Sequence, residues 1–266
     1  MQTWDVLIDD VTERVQKRIN CDILLGKTTP KTLTLSHMTQ LKPQDLAEFI
    51  DHTLLKPDVT RFQLEKLCKE AVEYNFKTVC VNSSNIPLVV EYLRGSSVLP
   101  IAVVGFPLGA ATTSAKIYES QEAIQNGAQE IDMVMNIGAL KSQDYEIVFK
   151  DIEGVVRACK SVPVKVILET AMLGHEEKII ACVLSKLAKA AFVKTSTGFG
   201  PGGATVEDVK LMRKTVGTSM GVKASGGIRT YQDAVKMIEA GANRVGASSS
   251  VAIVTGSPKK KWQFDY

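Results

Sequence analysis

Histidine is scarce in this 266-residue chain: only His37, His52 and His175 occur, spread over a linker, a strand candidate and a loop or helix start. Metal-dependent carbon chemistry draws on clustered histidines or carboxylates, so the sequence predicts no bound metal. Cysteine is sparse and odd in number. Cys21, Cys68, Cys80, Cys159 and Cys182 lie far apart, mostly in apolar periodic segments, where a thiol packs as a small hydrophobe and builds no disulfide framework. A reduced, cytoplasmic protein is the expectation. No apolar run approaches the ~18 residues of a membrane span, and Asp5, Asp9, Asp10 and Glu13 near the start oppose a leader peptide. An excess of one charge is also missing: 32 basic residues face 29 acidic ones, and aromatics make up only 6%. Apart from Lys259 to Lys261 there is no basic run, so neither nucleic acid nor a membrane surface is expected as a partner.

What the chain does have is 45% hydrophobic residues in a repeating order. From about residue 49, short β-branched runs alternate with helical patterns: FIDHTLL from Phe49, TVCV from Thr78, IAVVGF from Ile101, EIDMVMN from Glu130, VKVILET from Val164, AFVKTST from Ala191, GVKASGG from Gly221 and RVGASS from Arg244. Between them, Tyr145, Val148, Phe149, Ile152, Val156 and Cys159 follow helical spacing, as do Tyr231, Ala234, Val235 and Ile238. Thr60 with Gln63, Thr205 with Asp208 and Thr230 with Asp233 have the form of capping boxes, and Gly127 and Gly241 stand where helices should stop. Eight strand-helix units predict an α/β fold of the (β/α)8 TIM-barrel type, with a doubly wound open sheet as the alternative.

Residues 1 to 40 lie outside this repeat and predict an N-terminal helix and linker, followed by the barrel over 41 to 254 and a tail over 255 to 266. Trp4, Leu7, Ile8, Val11, Val15 and Ile19 share one helical face, which predicts packing on the barrel floor or on a second subunit, as in a homodimer. Gly26-Lys27-Thr28 resembles the end of a P-loop, but Cys21 stands where its first glycine is required.

Gly198, Gly200 and Gly203 satisfy G-x-G-x-x-G. Pro201 removes a donor from that loop, and the next strand carries Lys223 where a dinucleotide fold wants an acid. A barrel places its chemistry at the C-terminal ends of its strands. There this chain carries Asp51 and His52, Cys80 and Asn82, Asp132 and Asn136, Lys165 and Glu169, Lys194 and Thr195, Lys223, and finally Ser248 and Ser249. Charges on apolar strands must be paired or used. A structural reading pairs the lysines with Asp132 or Glu169. A chemical reading starts from two adjacent strands that each deliver a lysine.

A free lysine is neutral in about one molecule in 2,500 at pH 7. A second ammonium ~4 Å away at an effective dielectric of ~20 contributes ~4 kcal/mol of repulsion, or about three pKa units. Lys223 beside Lys194 therefore fits an activated Schiff-base amine, with Asp132 handling protons. Ser225, Gly226, Gly227, Ser248 and Ser249 fit a phosphate cradle after strands seven and eight. His52 fits a hydrogen-bonded wall residue better than a base.

These motifs resemble the deoxyribose-phosphate aldolase family. IDHTLLKP, VCVN, VGFPLGA, EIDMVMNIGALKS, KVILET, FVKTSTGFGPGGAT, VKASGGIRT and RVGASSS carry the resemblance from about Phe49 to Ile253. It implies a class I aldolase that reversibly cleaves 2-deoxy-D-ribose 5-phosphate to D-glyceraldehyde 3-phosphate and acetaldehyde without metal or organic cofactor. It further implies Schiff-base formation on Lys194, a pKa-perturbing Lys223 and a proton-relaying Asp132. Asp51 and Lys165, with Cys80 and Thr195 nearby, fall in a supporting polar network, and Gly226, Gly227, Ser248 and Ser249 hold phosphate. The first 40 or so residues have no counterpart in the family pattern, and the surroundings of Tyr266 do not match relatives that use a C-terminal tyrosine. Two other readings stay open: a Schiff-base aldolase for another phosphorylated sugar, and a non-catalytic aldolase-like barrel acting as a scaffold.

Overall fold

The computed structural model describes residues 3 to 20 and 41 to 256. A helix α1 (Trp4–Arg18) precedes the repeat. The repeat then runs β1 (Ile50–Thr53), α2 (Arg61–Glu73), β2 (Thr78–Asn82), α3 (Ile86–Tyr92), β3 (Leu99–Val104), α4 (Thr113–Gln125), β4 (Glu130–Val134) and two helices, α5 (Ile137–Lys141) and α6 (Tyr145–Cys159). It continues through β5 (Val164–Ile167), α7 (His175–Leu187), β6 (Phe192–Lys194), α8 (Val206–Val216), β7 (Gly221–Ser225), α9 (Tyr231–Glu239), β8 (Arg244–Ala247) and α10 (Ser250–Thr255). All eight strands pair in parallel, each with its sequence neighbour, and β8 closes on β1. The barrel is therefore closed and the open sheet is excluded.

Local chemistry explains the borders. Thr60 and Thr230 make reciprocal boxes with Gln63 and Asp233. Thr205 caps α8 by accepting from the Asp208 N–H, but the Asp208 carboxylate turns away to accept from Lys178 at 2.6 Å, so that box is only half formed. Gly127 and Gly241 stop α4 and α9 at φ of 104° and 113°, a left-handed turn that a side chain would strain.

The main core is apolar and lies between strands and helices, with Val79, Val166, Val193, Val222 and Val245 facing Val148, Leu184, Met212 and Ala234. The alternate strand positions face the barrel axis and carry the buried charges Asp51, Glu130, Asp132, Lys165, Lys194, Lys223 and Arg244.

The N-terminal helix differs from expectation. Its apolar face does pack, with Val11 and Val15 buried, but on α6 and α7 at the barrel's flank. Trp4 lies 5.7 Å from the His175 ring, and Arg14 donates to Glu176 at 2.7 Å. Within the chain that face therefore packs on the barrel's flank and not on its floor. His37, the Gly26-Lys27-Thr28 stretch, Lys259 to Lys261 and Tyr266 lie outside the described residues. Among those described, no helix is long and apolar enough to cross a membrane.

Candidate active site

Asp132 is the hub of the barrel interior. It is fully buried on β4, and its two oxygens take three lysines: Oδ1 accepts from Lys165 at 2.8 Å, and Oδ2 accepts from Lys194 at 2.9 Å and Lys223 at 2.7 Å. The register produces this, because β5 sets Lys165 opposite Asp132 and β7 sets Lys223 opposite Lys194. Since Lys194 and Lys223 bond the same oxygen, their nitrogens are at most two hydrogen-bond lengths apart.

Beneath this level lies a second one. Lys223 also lies 2.5 Å from Asp51 Oδ2, and Lys165 lies 2.5 Å from Glu130 Oε2. Arg244 bridges Asp51 and Glu130, with its Nη1 3.2 Å from Glu130 Oε1. Sequence reasoning missed Glu130, Arg244 and Thr78, which donates to Asp51 at 2.7 Å. The signal was available: Glu130 and Asp132 are two apart on an apolar strand, so they share the inward face.

Three carboxylates thus meet four basic groups in the buried interior, and among the bases Lys194 is the one whose charge the surroundings disfavour. Burial pushes its pKa down as the largest effect; Asp132 opposes this, and the Lys223 ammonium lowers it further. The neighbouring cation is therefore real but second to desolvation, whereas the sequence pointed to the cation alone. Lys223 goes the other way. Burial disfavours its charge, but Asp132 and Asp51 outweigh burial and hold the ammonium above its usual range. Burial likewise opposes the charge on Asp132, yet Lys165, Lys194 and Lys223 keep it ionised well below the usual carboxylate range. Two like groups driven apart by their surroundings are a mark of divided chemical roles.

Around this cluster, Cys80 lies buried with Leu55, Ile101, Val103 and Phe106, and burial raises its thiol pKa, so it stays protonated. Thr195 follows the end of β6 and locks it to β7: its hydroxyl donates to Ser225 O at 2.9 Å and accepts from Ser225 N at 3.0 Å. His52 is a wall residue, with Nδ1 2.9 Å from Ser250 Oγ and Nε2 3.0 Å from Glu70.

Several residues assigned to strands lie just beyond them. Glu169 follows β5 with a left-handed backbone and bonds Thr197, not a lysine. Asn136 caps α5 by accepting from Ala139 N. Ser248 and Ser249 follow β8, the first exposed and the second buried. Gly226 and Gly227 turn after β7 at φ of 87° and 79°, and no atom lies within 4 Å of where a Gly227 side chain would begin. Among the described residues no three His, Cys, Asp or Glu side chains gather as a metal cage.

Residues 46 to 256 match the model of the DeoC/LacD family aldolases. The chain belongs to that family. It is 57% identical over 214 residues to a deoxyribose-phosphate aldolase of Clostridium perfringens and 60% identical to one of Clostridium novyi, covering 80% of this chain and 96% of each relative. A deoxyribose-phosphate aldolase from Aeropyrum pernix, solved as a tetramer, superposes with a TM-score of 0.76 at 31% identity, covering 93% of this chain and 96% of the other. A Coccidioides immitis crystal structure, described as a candidate enzyme of that name, gives 0.81 at 43% identity and covers 95% of each chain. Those shares are too large for the barrel alone, so in these family members the N-terminal segment has a structural counterpart that the family motifs do not reveal.

Proposed function

We propose that this protein is a deoxyribose-phosphate aldolase, cleaving 2-deoxy-D-ribose 5-phosphate reversibly to D-glyceraldehyde 3-phosphate and acetaldehyde through a Schiff base on Lys194. The observation that carries this reading is a buried lysine on an aspartate it shares with a second buried lysine. High identity to aldolases of that name across the whole barrel supports the substrate.

The Nζ lone pair of neutral Lys194 attacks C1 of the open-chain sugar. Asp132, bonded to that nitrogen, relays protons as the carbinolamine forms and loses water to leave an iminium. The C3 hydroxyl then gives up its proton, the C2–C3 bond breaks, and its electron pair moves towards the iminium nitrogen to give an enamine. Glyceraldehyde 3-phosphate leaves; C2 is protonated, and water releases acetaldehyde from Lys194. Lys223 stays charged throughout, keeping Lys194 deprotonated between turnovers. Asp51 and Arg244 hold Lys223 and, with Lys165 and Glu130, fix Asp132. Buried Cys80 walls the chamber, and Thr195 keeps the two lysine strands in register. The turn at Gly226 and Gly227, open at Gly227, receives the phosphate with Ser248 and Ser249; bare backbone N–H groups suit an anion. The cytoplasm, where thiols stay reduced, is the fitting compartment for the four buried free cysteines among the described residues.

The test is release of glyceraldehyde 3-phosphate from deoxyribose 5-phosphate in a coupled assay. Wild-type protein should turn over and Lys194→Ala should not, with unchanged circular dichroism. A wild type inert towards this substrate would overturn the assignment.

A further inference from the structure

Six non-glycine residues have positive φ among the described residues. Five of them, Asn20, Asn75, Gln143, Lys160 and Lys189, end helices, where a left-handed residue is routine. Glu169 alone follows a strand, at φ 55° and ψ 61°. A strained backbone at the mouth of a barrel is kept where the surroundings demand it. Here the demand comes from the loop after Lys194.

Glu169 is 2% exposed. Its Oε2 accepts from the Thr197 N–H at 3.2 Å and from the Thr197 hydroxyl in a short bond. The same hydroxyl accepts from Phe199 N at 3.0 Å. Gly200 then passes directly over the carboxyl group, so close that a Cβ there would stand 2.7 Å from Glu169 Cδ. Three residues on, Gly203 abuts Gly226: its Cβ would stand 2.3 Å from Gly226 O, and Ala204 N donates to that oxygen at 3.0 Å. An unbroken line of contacts runs from Glu169 through residues 197 to 203 to the turn assigned to phosphate. The second carboxylate oxygen, Oε1, is buried without a hydrogen-bond partner. That is a cost a purely structural site would shed by becoming apolar.

We propose that Glu169 is a positioning residue: its carboxylate is the post on which the residue 195 to 203 loop is wound, and it thereby sets the Gly226 turn at the spacing that a phosphorylated substrate requires. This rests on reading the site as a sugar-phosphate aldolase. Glu169 is not expected to touch the reacting carbons, so its effect should divide between substrates according to phosphate.

The test compares deoxyribose 5-phosphate with unphosphorylated 2-deoxyribose in wild type, Glu169→Ala, Glu169→Gln and Gly200→Ala. Losing two hydrogen bonds to a charged group should raise KM for the phosphorylated sugar about 10- to 100-fold. The kcat for that sugar, and kcat/KM for 2-deoxyribose, should fall far less. Gln, whose amide oxygen can accept both Thr197 donors, should restore most of the loss. Gly200→Ala, which drives a methyl into the carboxyl group, should mimic Glu169→Ala and keeps the test alive if that variant does not fold. Equal losses on both substrates, or an unchanged phosphate preference, would overturn the proposal. Hydrogen exchange at the amides of residues 197 to 203 reads the clamp without any substrate. It should quicken at least tenfold in Glu169→Ala, and unchanged exchange would sink the proposal even if the wild type proved to have another substrate.

Discussion

Replacing Lys223 by Met isolates the electrostatic part of the mechanism. Lys223 and Lys194 bond one oxygen of Asp132 at 2.7 and 2.9 Å, so their charges interact over roughly two hydrogen-bond lengths. At ~5.5 Å and an effective dielectric of ~20 the repulsion is about 3 kcal/mol, or about two pKa units. Removing the Lys223 charge therefore raises the Lys194 pKa, and it frees Asp132 to hold the Lys194 ammonium more tightly, which acts in the same direction. Burial, the larger lowering influence on Lys194, is untouched by the substitution, so the amine should not return fully to the range of free lysine. The assay is the rate of borohydride trapping with acetaldehyde from pH 5 to pH 10. In wild type the rate should rise with pH through a midpoint below that of free lysine, because only the neutral amine attacks. In Lys223→Met the midpoint should move up by about two units, giving roughly 100-fold slower trapping at pH 7 and near-recovery at the alkaline end. A profile that falls in height without shifting would refute the electrostatic reasoning and leave Lys223 a packing residue.

Other consequences can be checked separately. Asp132→Asn should abolish turnover and cost about 3 to 5 kcal/mol, since the buried Lys165 and Lys223 ammonium groups lose a shared counter-charge; urea denaturation reads the loss. The depressed folded pKa values of Asp51 and Asp132, held down by the lysines and Arg244 against burial, contribute stability that is complete above the unfolded carboxylate range near 4. It drains away as pH falls through the folded values, so acid titration should show a stability loss that Asp132→Asn shares in smaller measure. Lys116 and Asp151 form a separate fully buried pair at 2.5 Å between α4 and α6. Lys116→Met should destabilise by about 3 to 5 kcal/mol, and Lys116→Met with Asp151→Leu by clearly less. Gly221→Ala would place a Cβ 2.1 Å from the Phe192 ring, and the expected result is a lower thermal midpoint from overpacking between β6 and β7.

The barrel was legible because its signal is repetition. Eight β-branched runs alternating with helical patterns, several of them marked by a threonine cap or a glycine stop, leave few topologies open. Lys194, Lys223 and Asp132 were legible for a related reason, since each is a charge on a strand too apolar to carry one idly. Arg244 was hidden by its place as the first residue of β8, where a solvated end looks the same as an inward charge. Glu169 sat at a strand end that the pattern extends by three residues; only the left-handed backbone redirects its side chain to Thr197. The place of α1 could not be read either. A helical face tells that it packs, but the partner surface on α6 and α7 exists only once the barrel has closed. Burial's lead over Lys223 in lowering the Lys194 pKa is a three-dimensional quantity that no spacing encodes.

The most direct test of the central claim is borohydride reduction in the presence of acetaldehyde, followed by peptide mass mapping of the folded wild-type protein. An added ethyl group confined to Lys194 is the expected result. Modification of Lys165 or Lys223 instead, or no adduct on folded protein, would contradict the assignment of Lys194 as the reacting amine.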